Sequence, residues 1–270
     1  MNDTVVLRRD GRVATLLLNR PDALNTLDEA MGDALVARAT EVANDPGLRV
    51  VVLAGAGRHF MAGGDIRSFA TSLGEAPAAR EHAFRRMVER LHGAIEQLHR
   101  MPHPLVGRVH GAVAGFGLSL MYACDLVVAA DDAYFAAAYR HIGLSPDGGG
   151  SWSLPRIVGS RKASEIMLLA ERFDAAEALR LGLVNKVVPA AELDAAVGEM
   201  VVSLVNAPLT ALRNTTRLLR ASLGSSLSAQ LEAEAVSFGQ CTATADFVEG
   251  IGAFIAKRAP RFSRDGNGAA

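Results

Sequence analysis

One carboxylate, Asp147, lies between a proline and three consecutive glycines in the stretch IGLSPDGGGSW. Glycine loses more conformational freedom on folding than other residues, so a glycine run marks backbone that bends sharply or approaches another group closely. A carboxylate in such a loop is either a solvated turn residue or the acid of an active site. Because proline and glycine flank Asp147, its local sequence alone favours the turn.

Two glycine-rich loops are further candidates for chemistry. Residues 61–65 (MAGGD) and 114–117 (AGFG) each follow a predicted strand and open a predicted helix. The first N–H groups of a helix are free and carry the positive end of its dipole. Two such ends facing each other would give one oxygen two donors, which is an oxyanion hole. Either loop alone is more typical of an ordinary turn, and neither has the GxGxxG spacing of a dinucleotide site.

The other polar side chains in these segments have ordinary structural explanations. Tyr139 ends the run AYFAAAYR and fits a core residue whose hydroxyl is hydrogen-bonded. Ser119 lies in a predicted buried helix, where a small polar residue often bonds back to the helix. His92 lies in another predicted helix, where a histidine usually packs or faces solvent. No Ser–His–Asp order, metal-ligand spacing or Walker loop stands out, so the residues alone indicate an enzyme-like α/β domain.

The elements that position these residues begin with a hairpin. Apolar runs flank Asp10 and Gly11, a turn pair typical of a two-stranded hairpin. Thr26 and Glu29 then have the spacing of a capping box, which predicts a helix running to about Ala43.

An α/β pattern continues through most of the chain. Residues 45–55 (DPGLRVVVLAG) predict a turn and a strand buried on both faces, because the β-branched residues run without alternation. Residues 71–80 are weakly periodic and predict a mobile surface segment. Strand and helix patterns alternate up to about residue 192, and only helical patterns follow. The sequence therefore predicts an α/β core over residues 1–200 and a helical region over residues 201–270.

Composition restricts the class of protein. Half of the 270 residues are hydrophobic, 21% are charged and the formal net charge is −1. This balance is typical of a folded globular protein and gives no electrostatic reason to expect a nucleic-acid partner. Cys124 and Cys241 are far apart and fit a reducing compartment. The sequence shows neither a signal-peptide core nor an apolar run of membrane-spanning length, so we expect a cytoplasmic protein.

Taken together, six stretches resemble the motifs of the enoyl-CoA hydratase/isomerase (crotonase) superfamily. In chain order they are NRPDALNTL, FMAGGDI, HGAVAGFGLSLMYACDLVVAA, IGLSPDGGGSWSLPRIVG, FDAAEALRLGLVNKVV and AFIAKRAPRF. The resemblance covers nearly the whole chain. It implies a spiral of ββα units with a C-terminal helical region that assembles a homotrimer or a dimer of trimers. It also implies an acyl-CoA thioester as substrate, with no cofactor beyond the coenzyme A of that substrate.

The resemblance also assigns roles to individual residues. It gives the two oxyanion-hole donors as the main-chain N–H groups of Gly64 and Phe116. Phe116 stands where the family often has glycine, but a main-chain donor does not depend on side-chain type. Positions that commonly contact coenzyme A correspond to Ala23, Leu24, Ala62, Gly63, Asp65, Ile66, Phe254 and Lys257, the last two acting from a neighbouring subunit. We expect the acyl pocket to be shaped by Phe69, Phe84, Phe116, Tyr139 and Trp152.

The chain departs from the family where hydratases carry two glutamates. Ser119 and Tyr139 occupy those positions, and neither is a carboxylate base at neutral pH. Asp147 instead aligns with the single acid of two branches. One comprises ring-epoxide and Δ3,Δ2-enoyl-CoA isomerases of phenylacetate-type catabolism. The other comprises 4-chlorobenzoyl-CoA dehalogenases, in which the aspartate is a nucleophile.

His92 and Tyr139 complicate the choice between these branches. They fall where dehalogenases keep a histidine and a tryptophan, but a tyrosine is not expected to replace the tryptophan N–H directly. The proline before Asp147 and the glycines after it favour an enoyl-CoA isomerase, which is our expectation. The alternatives are a hydratase with an atypical acid, a dehalogenase-like hydrolase and a non-catalytic acyl-CoA binder.

Overall fold

The computed structural model describes residues 4–263. The strands of this part of the chain are β1 (Val5–Asp10), β2 (Val13–Leu18), β3 (Val50–Gly55), β4 (Leu105–Val109), β5 (Ala112–Ala114), β6 (Leu126–Ala130), β7 (Tyr134–Ala136), β8 (Phe173–Asp174) and β9 (Lys186–Val188). The helices are α1 (Glu29–Ala43), α2 (Ile66–Ala70), α3 (Pro77–Arg100), α4 (Phe116–Tyr122), α5 (Gly150–Val158), α6 (Ser160–Leu169), α7 (Ala175–Arg180), α8 (Leu193–Val205), α9 (Leu209–Ser222), α10 (Leu227–Thr242) and α11 (Ala245–Ile255).

The strands form two sheets that the chain visits in turn. The larger sheet has the order β1-β2-β3-β4-β6-β9 and is parallel from β2 onward, while the smaller has the order β5-β7-β8. Each of the units β4–β5–α4 and β6–β7–α5 places one strand in each sheet and then a helix. This is the expected spiral of ββα units, and β3 is buried along its whole length as its unbroken β-branched sequence predicts.

The hairpin prediction is confirmed, but the capping-box prediction is wrong. β1 and β2 pair antiparallel around residues 10–13. The N-cap of α1 is Asp28, whose side chain accepts a hydrogen bond of 2.8 Å from the Met31 N–H. Thr26 cannot cap the helix because Leu27 is held in an extended bridge with Gly64. The helix therefore begins only after Leu27.

Two further boundaries differ from the predicted ones. α3 begins at Pro77, so it takes in part of the predicted surface segment 71–80. Pro at the first helical position has no N–H to leave unsatisfied and has a suitable φ, which explains the earlier start. Residue 200 lies inside α8, and this helix packs on the larger sheet through Leu193 and Val197. The exclusively helical part after this layer begins with α9.

Arginine side chains attach the helical region to the sheets. Arg49 is buried and donates hydrogen bonds to the carbonyl oxygens of Val205, Ala207 and Ser263. Arg220 of α9 pairs with Asp125, the residue directly before β6. Among residues 4–263, no single helix is long and apolar enough to cross a membrane. Residues 190–205 and 209–222 meet the length and composition criteria only as a pair, with a bend of 109° between them.

Candidate active site

The structure brings the two glycine loops together. The Met61 N–H donates to the Ala112 oxygen at 3.0 Å, and the Ala114 N–H donates to the Met61 oxygen at 2.9 Å. Beyond these bonds Gly63 and Gly115 touch, since a β-carbon on Gly115 would lie 3.5 Å from the Gly63 Cα. Both glycines have positive φ, +95° and +52°. The loops therefore meet at backbone distance, in a conformation that glycine adopts at little cost.

The two predicted oxyanion donors lie directly after these touching glycines. Gly64 follows Gly63, and Phe116 follows Gly115 as the first residue of α4. Within residues 4–263, neither the Gly64 N–H nor the Phe116 N–H donates a hydrogen bond. Two main-chain donors at the ends of touching loops are thus unpaired, as the predicted oxyanion hole requires.

Asp147 lies in a hydrogen-bonded cluster and not in a solvated turn. The Tyr139 hydroxyl donates to Asp147 Oδ1 at 2.6 Å, and the Ser119 hydroxyl donates to the Asp147 carbonyl oxygen at 2.8 Å. The hydroxyl oxygens of Ser119 and Tyr139 are 3.1 Å apart, and both side chains are buried. Tyr139 thus donates a hydrogen bond to the carboxylate of Asp147; whether it replaces a tryptophan N–H in orienting a nucleophile stays a prediction. Tyr139 is the first residue of a 3-10 turn at residues 139–142.

Burial controls the protonation of this cluster. It raises the pKa of the Asp147 carboxyl above its ordinary value, and the Tyr139 hydroxyl and a charge on His92 oppose part of that rise. Burial, and then the charge of Asp147, raise the pKa of Tyr139, so its hydroxyl remains a donor. His92 lies behind the acid loop, where its Nε2 accepts a hydrogen bond of 3.3 Å from the Gly148 N–H. An acid with a raised pKa next to free N–H donors is suited to proton transfer.

The glycines after Asp147 seat its loop against α4. A β-carbon on Gly148 would lie 2.9 Å from the Phe116 ring and 2.9 Å from the Ser119 Cβ. A β-carbon on Gly150 would lie 2.6 Å from the Ser119 hydroxyl oxygen. The glycines therefore let the acid loop pack closely against the helix that carries Phe116.

An apolar cavity of about 500 Å³ lies between the segment after the first glycine loop and the segment before Asp147, and its lining includes neither Asp147 nor a residue of either glycine loop. Phe69 and Phe84 form one wall in an edge-to-face pair with ring centroids 5.0 Å apart. Phe69 also covers Gly64, because a β-carbon there would lie 2.6 Å from its ring. Ile142 and Leu144, between Tyr139 and Asp147 in the chain, form the opposite wall. Of the residues predicted to shape the acyl pocket, Phe69 and Phe84 line this cavity, whereas Phe116 and Tyr139 do not.

Trp152 lies elsewhere than predicted. It is half exposed on α5, with His99 at its edge and the Arg156 guanidinium above its ring. It lines a larger cavity of about 710 Å³ that runs behind the acid loop along α9. That cavity reaches the acid cluster through Ser119, Gly148 and Gly149, but its lining does not include Asp147 or either glycine loop.

Most of the predicted coenzyme A positions lie on or near the first glycine loop. Ala23 and Leu24 lie beside the first glycine loop, since the Ala62 N–H donates to the Leu24 oxygen at 3.1 Å. Ile66 is half exposed and lines the apolar cavity. Asp65 caps α2 and forms an ion pair with Arg20, so its side chain has a structural role.

The other two predicted contacts lie in the helical region. Phe254, 83% exposed, is near the end of α11, and Lys257 follows that helix with positive φ. Both are on the surface, and their contribution to a neighbouring subunit's site stays a prediction.

Sequence reasoning missed one supporting residue, Asn25. It is buried with φ of +55°, and its amide donates to the carbonyl oxygens of Ala56 and His59 at 2.9 and 2.7 Å. These bonds hold the chain that leads into the first glycine loop. The asparagine in this loop is itself a sequence signal for left-handed backbone, because only glycine tolerates that conformation better than asparagine. Among the described residues, no group of three or more His, Cys, Asp or Glu side chains is arranged to hold a metal ion.

The fold and this site define a class of acyl-CoA enzymes, and comparison with known proteins agrees. Residues 8–265 match the family "Enoyl-CoA hydratase/isomerase", so the chain belongs to this family and acts on acyl-CoA. It is similar to the "Probable enoyl-CoA hydratase" of Rhodobacter capsulatus, with 35% identity over 93% of this chain and 94% of that protein.

Two further comparisons cover nearly all of both chains. The "1,2-epoxyphenylacetyl-CoA isomerase" of Escherichia coli K12 is 33% identical over 93% of this chain and 95% of its own. The crystal structure of an enoyl-CoA hydratase from Polaromonas sp. JS666 superposes with a TM-score of 0.87 and 35% identity. It covers 96% of this chain and 99% of that one. The relatives thus include both hydratase and isomerase names.

Proposed function

We propose that this enzyme is an enoyl-CoA isomerase that moves a double bond by proton transfer through Asp147. The observation that carries the proposal is the hydrogen-bonded cluster of Asp147, Tyr139 and Ser119. At the two positions where hydratases carry glutamate, this chain has hydroxyl groups that bond to Asp147. They therefore support one acid, where a hydratase would have two carboxylates to hold water.

The mechanism follows from the arrangement of donors and acid. A carboxylate can remove a proton α to a thioester only if the resulting enolate is stabilised. The N–H groups of Gly64 and Phe116 would supply that stabilisation, with each oxyanion donor contributing about 3 kcal/mol in related acyl chemistry. Asp147 then takes a proton from C2 of a 3-enoyl-CoA and returns it to C4. The double bond moves from C3–C4 to C2–C3, and no water is consumed.

An Asp147→Asn variant tests this role with a 3-enoyl-CoA substrate. Removal of an acid–base group typically lowers the rate by about 10²-fold or more, and we expect at least that loss. Asp10→Asn is the matched control, since Asp10 is exposed at the first hairpin, and it should retain parental activity. Asp147→Asn activity within about tenfold of the parent would exclude Asp147 as the proton carrier.

Hydration is the reaction that several relatives' names favour. A hydratase of this chain would have to activate water with Asp147 alone. The same two proteins are assayed with crotonyl-CoA, following loss of the conjugated thioester absorbance. Faster turnover of crotonyl-CoA than of the 3-enoyl-CoA would replace the isomerase assignment by a hydratase assignment.

Nucleophilic displacement is a second candidate, and the Tyr139–Asp147 hydrogen bond favours it. A donor that orients the carboxylate also suits an aspartate that attacks carbon, and His92 lies behind the same loop, where its Nε2 accepts a hydrogen bond from the Gly148 N–H. Halide release from 4-chlorobenzoyl-CoA, with an acyl group trapped on Asp147, would establish this chemistry. Free coenzyme A without halide would indicate a thioesterase.

We also propose that the active enzyme is a homotrimer. The support is the resemblance together with large apolar side chains exposed on the helical region, including Leu219, Leu223, Leu227, Phe238 and Phe254. Sedimentation velocity gives the oligomeric state directly. A monomer at micromolar concentration would exclude a role for Phe254 and Lys257 in a neighbouring site.

A further inference from the structure

Asp147, Tyr139 and Ser119 form a closed ring of hydrogen-bond contacts. Asp147 Oδ1 is 2.6 Å from the Tyr139 hydroxyl oxygen, and that oxygen is 3.1 Å from the Ser119 hydroxyl oxygen. Ser119 is in turn 2.8 Å from the main-chain oxygen of Asp147. Each of these three contacts needs one hydrogen atom, so the protonation state of Asp147 decides how many can be hydrogen bonds.

With Asp147 ionised, only two hydrogens serve the three contacts. A carboxylate and a carbonyl can only accept, so Tyr139 gives its hydrogen to Oδ1 and Ser119 gives its hydrogen to the Asp147 carbonyl. The two hydroxyl oxygens then face each other with lone pairs across 3.1 Å. One contact in a buried cluster is left without a hydrogen, which is unfavourable.

With Asp147 protonated on Oδ1, three hydrogens serve the three contacts. The acid donates to the Tyr139 oxygen, Tyr139 donates to Ser119, and Ser119 donates to the Asp147 carbonyl. Every contact is then a hydrogen bond that runs in one direction around the ring. Chains of this kind strengthen each bond through mutual polarisation.

We propose that Ser119 acts through Tyr139 to raise the proton affinity of Asp147, so that these two hydroxyls are positioning residues for the acid. Tyr139 alone would only stabilise the carboxylate, because it would donate to Oδ1 in every state. Ser119 gives the phenol hydrogen a second acceptor, which lets the Tyr139 oxygen accept a hydrogen bond from the protonated acid.

The other groups around Asp147 do not provide this effect. His92 is the titratable side chain facing it from α3, and a charge there favours the carboxylate. From α4, Phe116 and Ser119 pack against the loop, and Phe116 is apolar. The side-chain hydrogen bond from Tyr139 is to Asp147 Oδ1, so it leaves the other carboxyl oxygen, Oδ2, to face a reacting group in this proposal.

The inference rests on the proposed function for its purpose and deepens it. A base that holds a proton well can keep it between removal at one carbon and return at another. A nucleophile in a displacement reaction must instead be ionised, and it would gain nothing from a stabilised neutral form. The Ser119–Tyr139 pair therefore suits proton transfer better than attack on carbon.

The test is the pKa of Asp147 in the ligand-free protein, read from the infrared carboxyl band assigned with Asp147→Asn. Ser119→Ala should lower this pKa by about one unit, the size expected for one hydrogen bond. The Asp147 carbonyl stays satisfied in that variant, because it also accepts from the Gly150 N–H at 3.0 Å. Tyr139→Phe should raise the pKa, because the buried carboxylate loses its donor.

The double variant separates action through Tyr139 from a general structural effect. In a Tyr139→Phe background, Ser119→Ala should produce no further shift. Ser119→Cys, which keeps a weak donor and acceptor, should shift the pKa in the same direction as Ser119→Ala but less. Tyr122→Phe and Ser151→Ala, the control variants, should leave the pKa of Asp147 unchanged. Tyr122 is buried on α4 with a hydroxyl that has no partner in the described residues, and Ser151 is exposed.

Three results would overturn the inference: a Ser119→Ala pKa that rises, one that stays unchanged, or an equal shift with and without the Tyr139 hydroxyl. The infrared measurement needs no turnover, so it distinguishes this failure from failure of the isomerase proposal. If Asp147→Asn abolishes isomerisation while Ser119→Ala leaves the pKa of Asp147 unchanged, the isomerase proposal is supported and the effect of Ser119 through Tyr139 is excluded. If the pKa shifts as stated but no 3-enoyl-CoA is converted, the effect of Ser119 is supported and the enzyme catalyses a different reaction.

Discussion

The backbone of Gly148 lies directly against the ring of Phe116. A β-carbon at residue 148 would be 2.9 Å from the ring, closer than real β-carbons approach other atoms. This contact links Asp147, the proposed acid, to the helix whose first N–H, on Phe116, is the proposed oxyanion donor. If these proposed roles hold, the identity of residue 148 bears on catalysis although its side chain is a hydrogen atom.

Gly148→Ala should lower turnover by more than tenfold, whereas Gly149→Ala should retain most activity. Both glycines have positive φ, +57° and +79°, so both variants carry backbone strain of about 1 kcal/mol. Only the β-carbon at 148 meets Phe116 and Ser119, since the nearest atom at 149 is 3.9 Å away. Steady-state kinetics of the two variants therefore separate the effect of the contact with Phe116 and Ser119 from the effect of backbone strain. Equal losses would mean that the contact does not position Asp147.

Asp147→Asn should stabilise the protein at neutral pH but not at acidic pH. Because burial raises the pKa of Asp147, the folded state holds this proton more tightly than the unfolded state. Stability is then full below the ordinary carboxyl pKa, about 3.9, and falls as the pH rises through the higher folded value. Asparagine cannot ionise, so the Asp147→Asn variant does not lose stability as the pH rises. Thermal melting at several pH values should show a gain only on the neutral side, and an equal gain at all pH values would contradict this origin.

Gly117→Ala should damage the oxyanion hole. A β-carbon there would lie 2.4 Å from the Met61 oxygen, so the first turn of α4 must move away from the first loop. Displacing one oxyanion donor lowers kcat by about 10²–10³-fold in other acyl-transfer enzymes. The control is Gly198→Ala in α8, where the β-carbon meets nothing within 4 Å. That change should leave kcat unaltered and stabilise the helix by about 0.5–1 kcal/mol.

Arg49→Met should lower the free energy of unfolding by about 2–4 kcal/mol. The buried guanidinium donates to main-chain oxygens of Val205, Ala207 and Ser263, which would lose these bonds in the variant. Arg38→Met is the control, because Arg38 is exposed and its one ion pair within residues 4–263 is with Glu41 of the same helix. An exposed pair of this kind contributes about 0.5 kcal/mol or less. Urea unfolding curves that coincide for the two variants would contradict the role of Arg49.

Local sequence predicted the elements well where hydrophobic periodicity is strong. The β1–β2 hairpin, the fully buried β3 and the buried α4 follow from patterns over a few residues. It failed at the start of α1, because the bridge between Leu27 and Gly64 joins segments far apart in the chain. A capping box is a local signal, and this long-range pairing overrode it.

In the candidate site, too, some features follow from local sequence and others depend on contacts between distant segments. The sequence by itself determined which residues were available: Asp147 as acid, two glycine loops with free N–H groups, and hydroxyls in place of glutamates. Only the tertiary structure decided that Tyr139 and Ser119 bond to Asp147, because that contact depends on a 3-10 turn and on glycines that let the acid loop touch α4. Sequence patterns report the periodicity of one segment, whereas hydrogen bonds between segments depend on ångström-scale distances that only the packed fold defines.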